Sequence, residues 1–432
     1  MIDRHQVGAR ALEHIRHLSV DIGPRGAGTE GERRGAEYAA DRMKEWSQGV
    51  QIEPYRAYTT LTWPWGLVGL LLAASGALIW LSPLVASILA TANLPIYYFV
   101  ASGRRDIGVI FPKRASRNVV GKVPARGPGA TPGSDGEAGR DREGGRAGLR
   151  RVVFLAHVDT TRASLLYAPK ALKNLRMTHI FNMVSVLALF ALSLTGLWAE
   201  GLLASPADAA ARATAGYVLL GDRIVASVFG LIAAYGLGVL AHRELLMPHV
   251  HGANDNASGV GLALAVSEYF AGHPLETTEV WCVVTGSEET GYPAGAGRFV
   301  AAHLKELQDA DILVLDNLGA GDLRYLRAEG IILPMRMDAG LMALARKVAE
   351  RHPDWKVRDS VCNLGYTDAT PALAAGLRAL ALWAEGPDGL LVNYHWPTDT
   401  FENIDARTVE QAAAFVLEIV EAIDRGEDRI RA

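Results

Sequence analysis

Cysteine is scarce in this chain of 432 residues, with only Cys282 and Cys362, far apart. Neither sits in a CxxC or Cys/His cluster, which excludes a zinc finger. Two buried thiols are expected rather than a disulfide framework, in keeping with a reducing compartment. Excess charge of either sign is also missing. The formal net charge is -4 and no basic stripe is interleaved with aromatics, so no nucleic-acid partner is expected. The amino-terminal MIDRHQVGARALEHIRHLSV reads as an amphipathic helix. It lacks the basic-then-apolar segment ending in small residues that marks a cleavable signal peptide. No repeat of solenoid period is present.

The most informative absence is local. From Ala57 to Gly103 there is no Asp, Glu, Lys or Arg. A helix needs about 20 apolar residues to cross a bilayer, so this stretch holds two passes, divided by a turn near Leu81-Ser82-Pro83. Trp63, Trp65, Tyr97 and Tyr98 flank it, as suits a membrane interface. A second pair is expected from Met177 to Ala199 and from Ile224 to His242, both free of those charges, with the polar segment between them on the far side. The competing reading is a set of apolar helices lying on a soluble domain as a lid or dimer interface, since run length alone does not separate buried from spanning helices. Membrane insertion is favoured, giving a multi-pass protein of about four helices in contact with the lipid bilayer. Arg42, Lys44, Arg56, Arg104, Arg105, Lys113, Arg114 and Arg117 flank the first pair on the domain side, and Lys170, Lys173, Arg176 and Arg243 flank the second. The far side offers mainly Arg212, with Arg223 at its border, so the globular part is expected to be cytoplasmic.

Half the residues are hydrophobic and 21% are charged, enough for a sizeable core. The expected organisation is an amino-terminal piece of the globular domain at 1–56, a first hairpin at 57–103, more of the domain at 104–160, an insertion with the second hairpin at 161–248, and the main part of the domain at 249–432. Thr29 and Glu32 have capping-box spacing ahead of a helix. The Gly/Pro-rich segment 124–150 reads as a mobile surface loop.

Strand-like runs end in residues able to bind metal. Near-continuous apolar character in RVVFLAHVD suits a strand covered on both faces. His157 and Asp159 share one face of it, although alone they are also an ordinary strand-end pair. HGANDNASG puts Asp255 in a turn before a helix that Asn256 or Ser258 can cap, and on local evidence Asp255 is as well a capping residue as a ligand. VWCVVTGSEETG is a buried strand followed by Glu288 and Glu289, adjacent carboxylates that point apart, so one can bind metal while the other polarises water. ADILVLDNLG ends in Asp316, and NYHWPTDTFENID sets His395 in a loop before the last helix.

The order AHVD, GANDNASG, SEETG, VLDN and YHWPTDT resembles the co-catalytic dizinc aminopeptidases, peptidase family twenty-eight of clan MH, which also contains glutaminyl cyclases and glutamate carboxypeptidases. The likeness is loose over 1–56 and 115–160 and close over 249–425. It implies a three-layer α/β/α domain with a mixed, mostly parallel sheet, here interrupted by two transmembrane hairpins. It also implies two zinc ions per chain, with His157 and Asp316 on one, Glu289 and His395 on the other, and Asp255 bridging. Glu288 would be the general base, Asp159 a partner of His157, and Tyr394 a stabiliser of the developing oxyanion. The implied activity is release of amino-terminal residues from peptides. Two departures stand out. The second hairpin fills the interval between Asp159 and Asp255, where soluble members have a short loop, and Ala369 follows Asp368 where His is common. The alternatives are a glutaminyl-cyclase-like zinc acyltransferase with one zinc and a catalytically silent membrane scaffold.

Overall fold

The protein is described by a computed structural model covering residues 2–126 and 149–427. Most of the expected surface loop 124–150 lies outside the described residues. Among the described residues, twelve α-helices and nine strands follow one another. In order they are α1 (Val7–Arg16), α2 (Glu30–Lys44), β1 (Val50–Ala57), α3 (Thr62–Leu78), α4 (Pro83–Ser102), β2 (Arg114–Val123), β3 (Arg150–His157), α5 (Pro169–Leu172), α6 (Leu175–Leu203), α7 (Ala209–Leu246), α8 (Gly259–Gly272), β4 (Thr278–Thr285), α9 (Ala294–Ala302), β5 (Ala310–Leu315), β6 (Asp322–Glu329), β7 (Met335–Arg336), α10 (Ala339–Arg351), β8 (Arg358–Cys362), α11 (Ala369–Ala374), β9 (Arg378–Glu385) and α12 (Ala406–Asp424).

All nine strands form one mixed sheet in the order β1-β2-β4-β3-β5-β9-β6-β7, with β8 beside β6. The central run β4-β3-β5-β9 is parallel, and β2 and β6 join its two sides antiparallel. Successive side chains of a strand point to opposite faces, and every residue of β5 is buried, so helices cover both sides. On one side α1, α8 and α12 pack on each other, while α9 and α11 pack together against β2, β5 and β9. Cys282 and Cys362 are buried free thiols in β4 and β8.

The apolar helices make their own cluster, separate from the domain core, around Val68, Leu72, Val100, Val186 and Ala226. Three of them, α4, α6 and α7, are long and apolar enough to cross a membrane, and α3 is a shorter apolar helix of 17 residues. Helices α3 and α7 approach backbone to backbone. A methyl added at Gly76 would lie 2.5 Å from the Ala226 carbonyl oxygen and 2.8 Å from Gly230 Cα, the small-residue contact that lets apolar helices pack tightly. The polar connection expected between the second pair is not a loop. Only residues 204–208 interrupt the helices, because Asp208 caps α7 by accepting from the Ala211 amide at 2.8 Å and the alanine-rich turns that follow are strong helix formers. At 1.5 Å per residue the 38 residues of α7 extend about 57 Å, well beyond a hydrocarbon core of about 30 Å. At its domain end, buried Arg243 donates to Thr60 at 2.8 Å and to Thr161 at 2.7 Å, fastening α7 to the segment after β3.

Candidate metal centre

The site forms where the parallel strands end, as open α/β sheets place their ligands. His157 is the last residue of β3, Asp316 directly follows β5, and Glu288 and Glu289 follow β4. Asp255 precedes α8, where Asn256 accepts from the Gly259 amide at 2.9 Å and caps the helix, and His395 lies in the loop after β9. Two groups with metal-ligand spacing result: His157 with Asp255 and Asp316, and Asp255 with Glu289 and His395, all buried. Asp255 belongs to both. Its Oδ1 is 3.3 Å from His157 Nε2 and its Oδ2 is 3.1 Å from His395 Nε2. Glu289 Oε1 is 2.9 Å from His395 Nε2, and Asp316 Oδ1 is 3.7 Å from His157 Nε2. Glu288 Oε2 stands 3.9 Å from His157 Nε2.

Charge explains why such a cluster needs a cation. Burial pushes the Glu288 carboxyl well above the usual carboxylate range despite His157 nearby, with Glu289, Asp368 and Asp316 adding to the rise. Burial raises Glu289 in the same way. Burial also opposes ionisation of Asp255, yet the two imidazoles hold it below the ordinary range. Asp368, fully buried with Oδ1 unpartnered, is pushed up to about 7. Two imidazoles do not balance so many carboxylates, and buried charge is retained when it is paired or coordinates metal. The donor set of carboxylate oxygens and imidazole nitrogens fits zinc. Oδ1 and Oδ2 of Asp255, facing two separate histidines, fit a pair of ions.

A ring of supporting bonds fixes the donors. Asp159 lies beside His157, but its carboxylate Oδ1 is 3.7 Å from His157 Nδ1, while its backbone carbonyl is 3.1 Å away. The carboxylate itself accepts from the amides of Glu288 at 3.0 Å and Glu289 at 3.1 Å, so it holds the backbone of the glutamate pair. Tyr394 lies flat on the His395 ring, centroids 3.7 Å apart, and Tyr167 meets the same imidazole edge-on at 4.5 Å. Ser287, Asn317 and His395 have φ near +50°, a left-handed conformation uncommon for residues other than glycine that gathers at functional sites. Ala369 is fully buried at the start of α11.

Three supports escaped sequence reasoning. Glu32, read as half of a capping box, turns its carboxylate to the amides of Gly28 at 2.7 Å and Ser287 at 2.9 Å, bracing the loop that carries Glu288. Thr29 still accepts from the Glu32 amide, at 3.5 Å. Fully buried Arg25 donates to the carbonyls of Val158, at 2.8 Å, and Gly252, at 2.7 Å, joining the strand that ends in His157 to the loop of Asp255. Asp399 accepts from the amides of Asn254 at 2.6 Å and Asp255 at 3.1 Å. Its place in YHWPTDT, four residues beyond His395, was the one available signal. Removing partners of this kind typically costs 10–100-fold in metal affinity. Asp399→Asn is therefore expected to weaken zinc binding by about that factor, read by competition with a chelator, with the folded circular dichroism spectrum retained.

An α/β domain with a mixed sheet and a buried pair of metal-type donor groups at its strand ends defines the class of the zinc-peptidase folds. Residues 236–420 match the sequence profile of Peptidase family M28. Among solved structures, BSAP, a zinc aminopeptidase from Bacillus subtilis, is 15% identical with a TM-score of 0.54, covering 96% of this chain and 95% of its own. An aminopeptidase from Aneurinibacillus sp. strain AM-1 is 14% identical with a TM-score of 0.54, covering 97% and 96%. A glutaminyl cyclase from Bacteroides thetaiotaomicron is 13% identical with a TM-score of 0.52, covering 96% and 97%. These likenesses show the fold. A sequence comparison with curated proteins gives no match.

Proposed function

We propose that the protein is a membrane-anchored aminopeptidase dependent on two zinc ions, acting on the amino-terminal residue of peptides. The observation that carries this reading is the double role of Asp255, with one oxygen toward each histidine of two donor groups. His157 and Asp316 would hold one ion, Glu289 and His395 the other, and Asp255 would bridge them. A zinc pair held there would supply Lewis acidity toward the scissile carbonyl and would lower the pKa of the attacking water.

The chain's own groups do the rest. Glu288 accepts the proton of the attacking water and delivers it to the leaving amine as the C–N bond breaks, the work of a general base turned general acid. Its burial favours the first of these steps, because a carboxylate raised above its usual range takes up a proton more readily. Asp159 keeps Glu288 and Glu289 in register through their amides, and Tyr394, stacked on His395, would donate to the developing oxyanion.

The bilayer reading rests on outward-facing apolar surface. Only 17% of the most apolar window of α7 is buried, and 28% of that of α6, whereas a lid helix would hide that face against its own domain. Leu231 and Tyr235 are 71% and 75% exposed, and apolar surface on this scale marks a membrane or interaction face. The basic residues at the domain ends of the helices favour a cytoplasmic catalytic domain.

Metal analysis of the purified chain is expected to give close to two zinc per chain, with amino acids released from unblocked peptides. One zinc with conversion of amino-terminal glutamine to pyroglutamate would instead establish the cyclase chemistry that other proteins of this fold carry.

A further inference from the structure

A cleft open to solvent leads onto Glu288, Glu289 and His395. Its roof does not come from the α/β domain. Leu61 and Trp65 enter from the start of α3, Val100 from the end of α4 and His179 from the start of α6. Counted by rise per residue, the three helical positions lie within roughly 6 Å of the helix ends nearest the domain.

Roof and floor are joined. The rings of Trp65 and His179 pack with centroids 5.0 Å apart, and the Tyr97 hydroxyl donates to the His179 carbonyl oxygen at 3.1 Å. Tyr366, in the cleft wall two residues before Asp368, donates its hydroxyl to the carbonyl of Ala101 in α4. The same end of α3 carries an apolar fringe. Phe111 stacks on Trp63, and the turn before it exposes Val109 and Ile110 at 82% and 68%. The mouth of the cleft therefore lies level with the ends of the apolar helices.

We propose that the substrate is the amino-terminal end of a polypeptide held at the membrane surface, with a large apolar first residue, and that Trp65, Val100 and His179 form the wall that selects it. This rests on the aminopeptidase reading above. A side chain entering this wall leaves water for two aliphatic or aromatic surfaces, and the rest of the chain need not climb past the domain to present its end.

Two measurements test it. The zinc-loaded full chain, in vesicles of phosphatidylcholine and phosphatidylglycerol, is given peptides that begin with leucine and end in a transmembrane anchor, with spacers of about 4 to about 30 residues, each residue reaching at most ~3.3–3.6 Å. Spacers of about eight residues, a reach of ~27 Å, are expected to be trimmed within about threefold of the longest. Release that begins only near fifteen residues, a reach of ~50 Å, overturns the proposal. In parallel, soluble leucine and alanine p-nitroanilides are compared on wild type, Trp65→Ala and Val100→Ala, with zinc content and Tm recorded for each. The leucine-to-alanine ratio of kcat/KM is expected to fall roughly tenfold in at least one folded variant, the scale of losing one good apolar contact, and an unchanged ratio in both overturns the selecting wall. If wild type releases nothing from either soluble probe, the aminopeptidase reading falls with the proposal; if it does and the spacer series fails, only the proposal falls.

Discussion

Glu288→Gln is expected to retain close to the wild-type zinc content while kcat falls by about 10²–10⁴-fold, the range that general acid–base catalysis supplies. The substitution keeps size and shape but removes the ability to take up the water's proton. Glu288 stands slightly outside both donor groups, 3.9 Å from His157 Nε2, while Glu289 is in one of them, so the amide at 288 leaves the metal donors intact. KM is expected to change little, since a group that acts in proton transfer contributes to the transition state more than to ground-state binding. Steady-state kinetics beside metal analysis separate the outcomes. A kcat within threefold of wild type removes Glu288 from the role of base. Loss of zinc together with activity would make it a ligand instead.

Much of this centre was legible in the sequence because each donor sits where a buried strand or an apolar helix meets a polar residue. RVVFLAH, VWCVVT and ADILVL are runs too apolar for an exposed strand, and a polar group at the end of such a run opens onto the carboxyl edge of the sheet. The residues that hold the donors in place were not legible. Glu32 lies at capping-box distance from Thr29, so local spacing explained it fully, yet its carboxylate is used by Gly28 and by Ser287, far along the chain. Arg25 looks like an ordinary surface cation until the fold closes around it. Asp159 shares a strand face with His157, its carboxylate 3.7 Å from that imidazole, but it also binds the amides of the glutamate pair, a contact across two strands that period-two reasoning does not reach. Helix limits failed for a different reason. Residues 209–223 carry enough polar groups to read as a connection, whereas alanine-rich sequence continues a helix whether or not lipid surrounds it.

Asp255→Asn is expected to have the larger effect on metal. Each oxygen of the native carboxylate faces a histidine of a different donor group, and the amide keeps one oxygen while turning an NH₂ toward the other. A donor N–H cannot ligate a cation, so zinc content is expected to drop from near two to at most one per chain. The remaining acidic donors, Glu289 and Asp316, are then left with at most one ion, and the loss of several kcal/mol of charge stabilisation corresponds to a fall in kcat/KM of about 10³-fold or more. The fold should survive, because Asp255 makes its loop's backbone contacts through its amide to Asp399 and not through its side chain. Circular dichroism on the variant checks this, and zinc titration followed by kinetics gives the decisive comparison. A variant with one zinc and nearly full activity would mean that a single ion suffices, as the cyclase reading requires. A variant that still binds two ions would show that Asp255 is not the bridge, and the two donor groups would then have to be assigned to separate, independent sites.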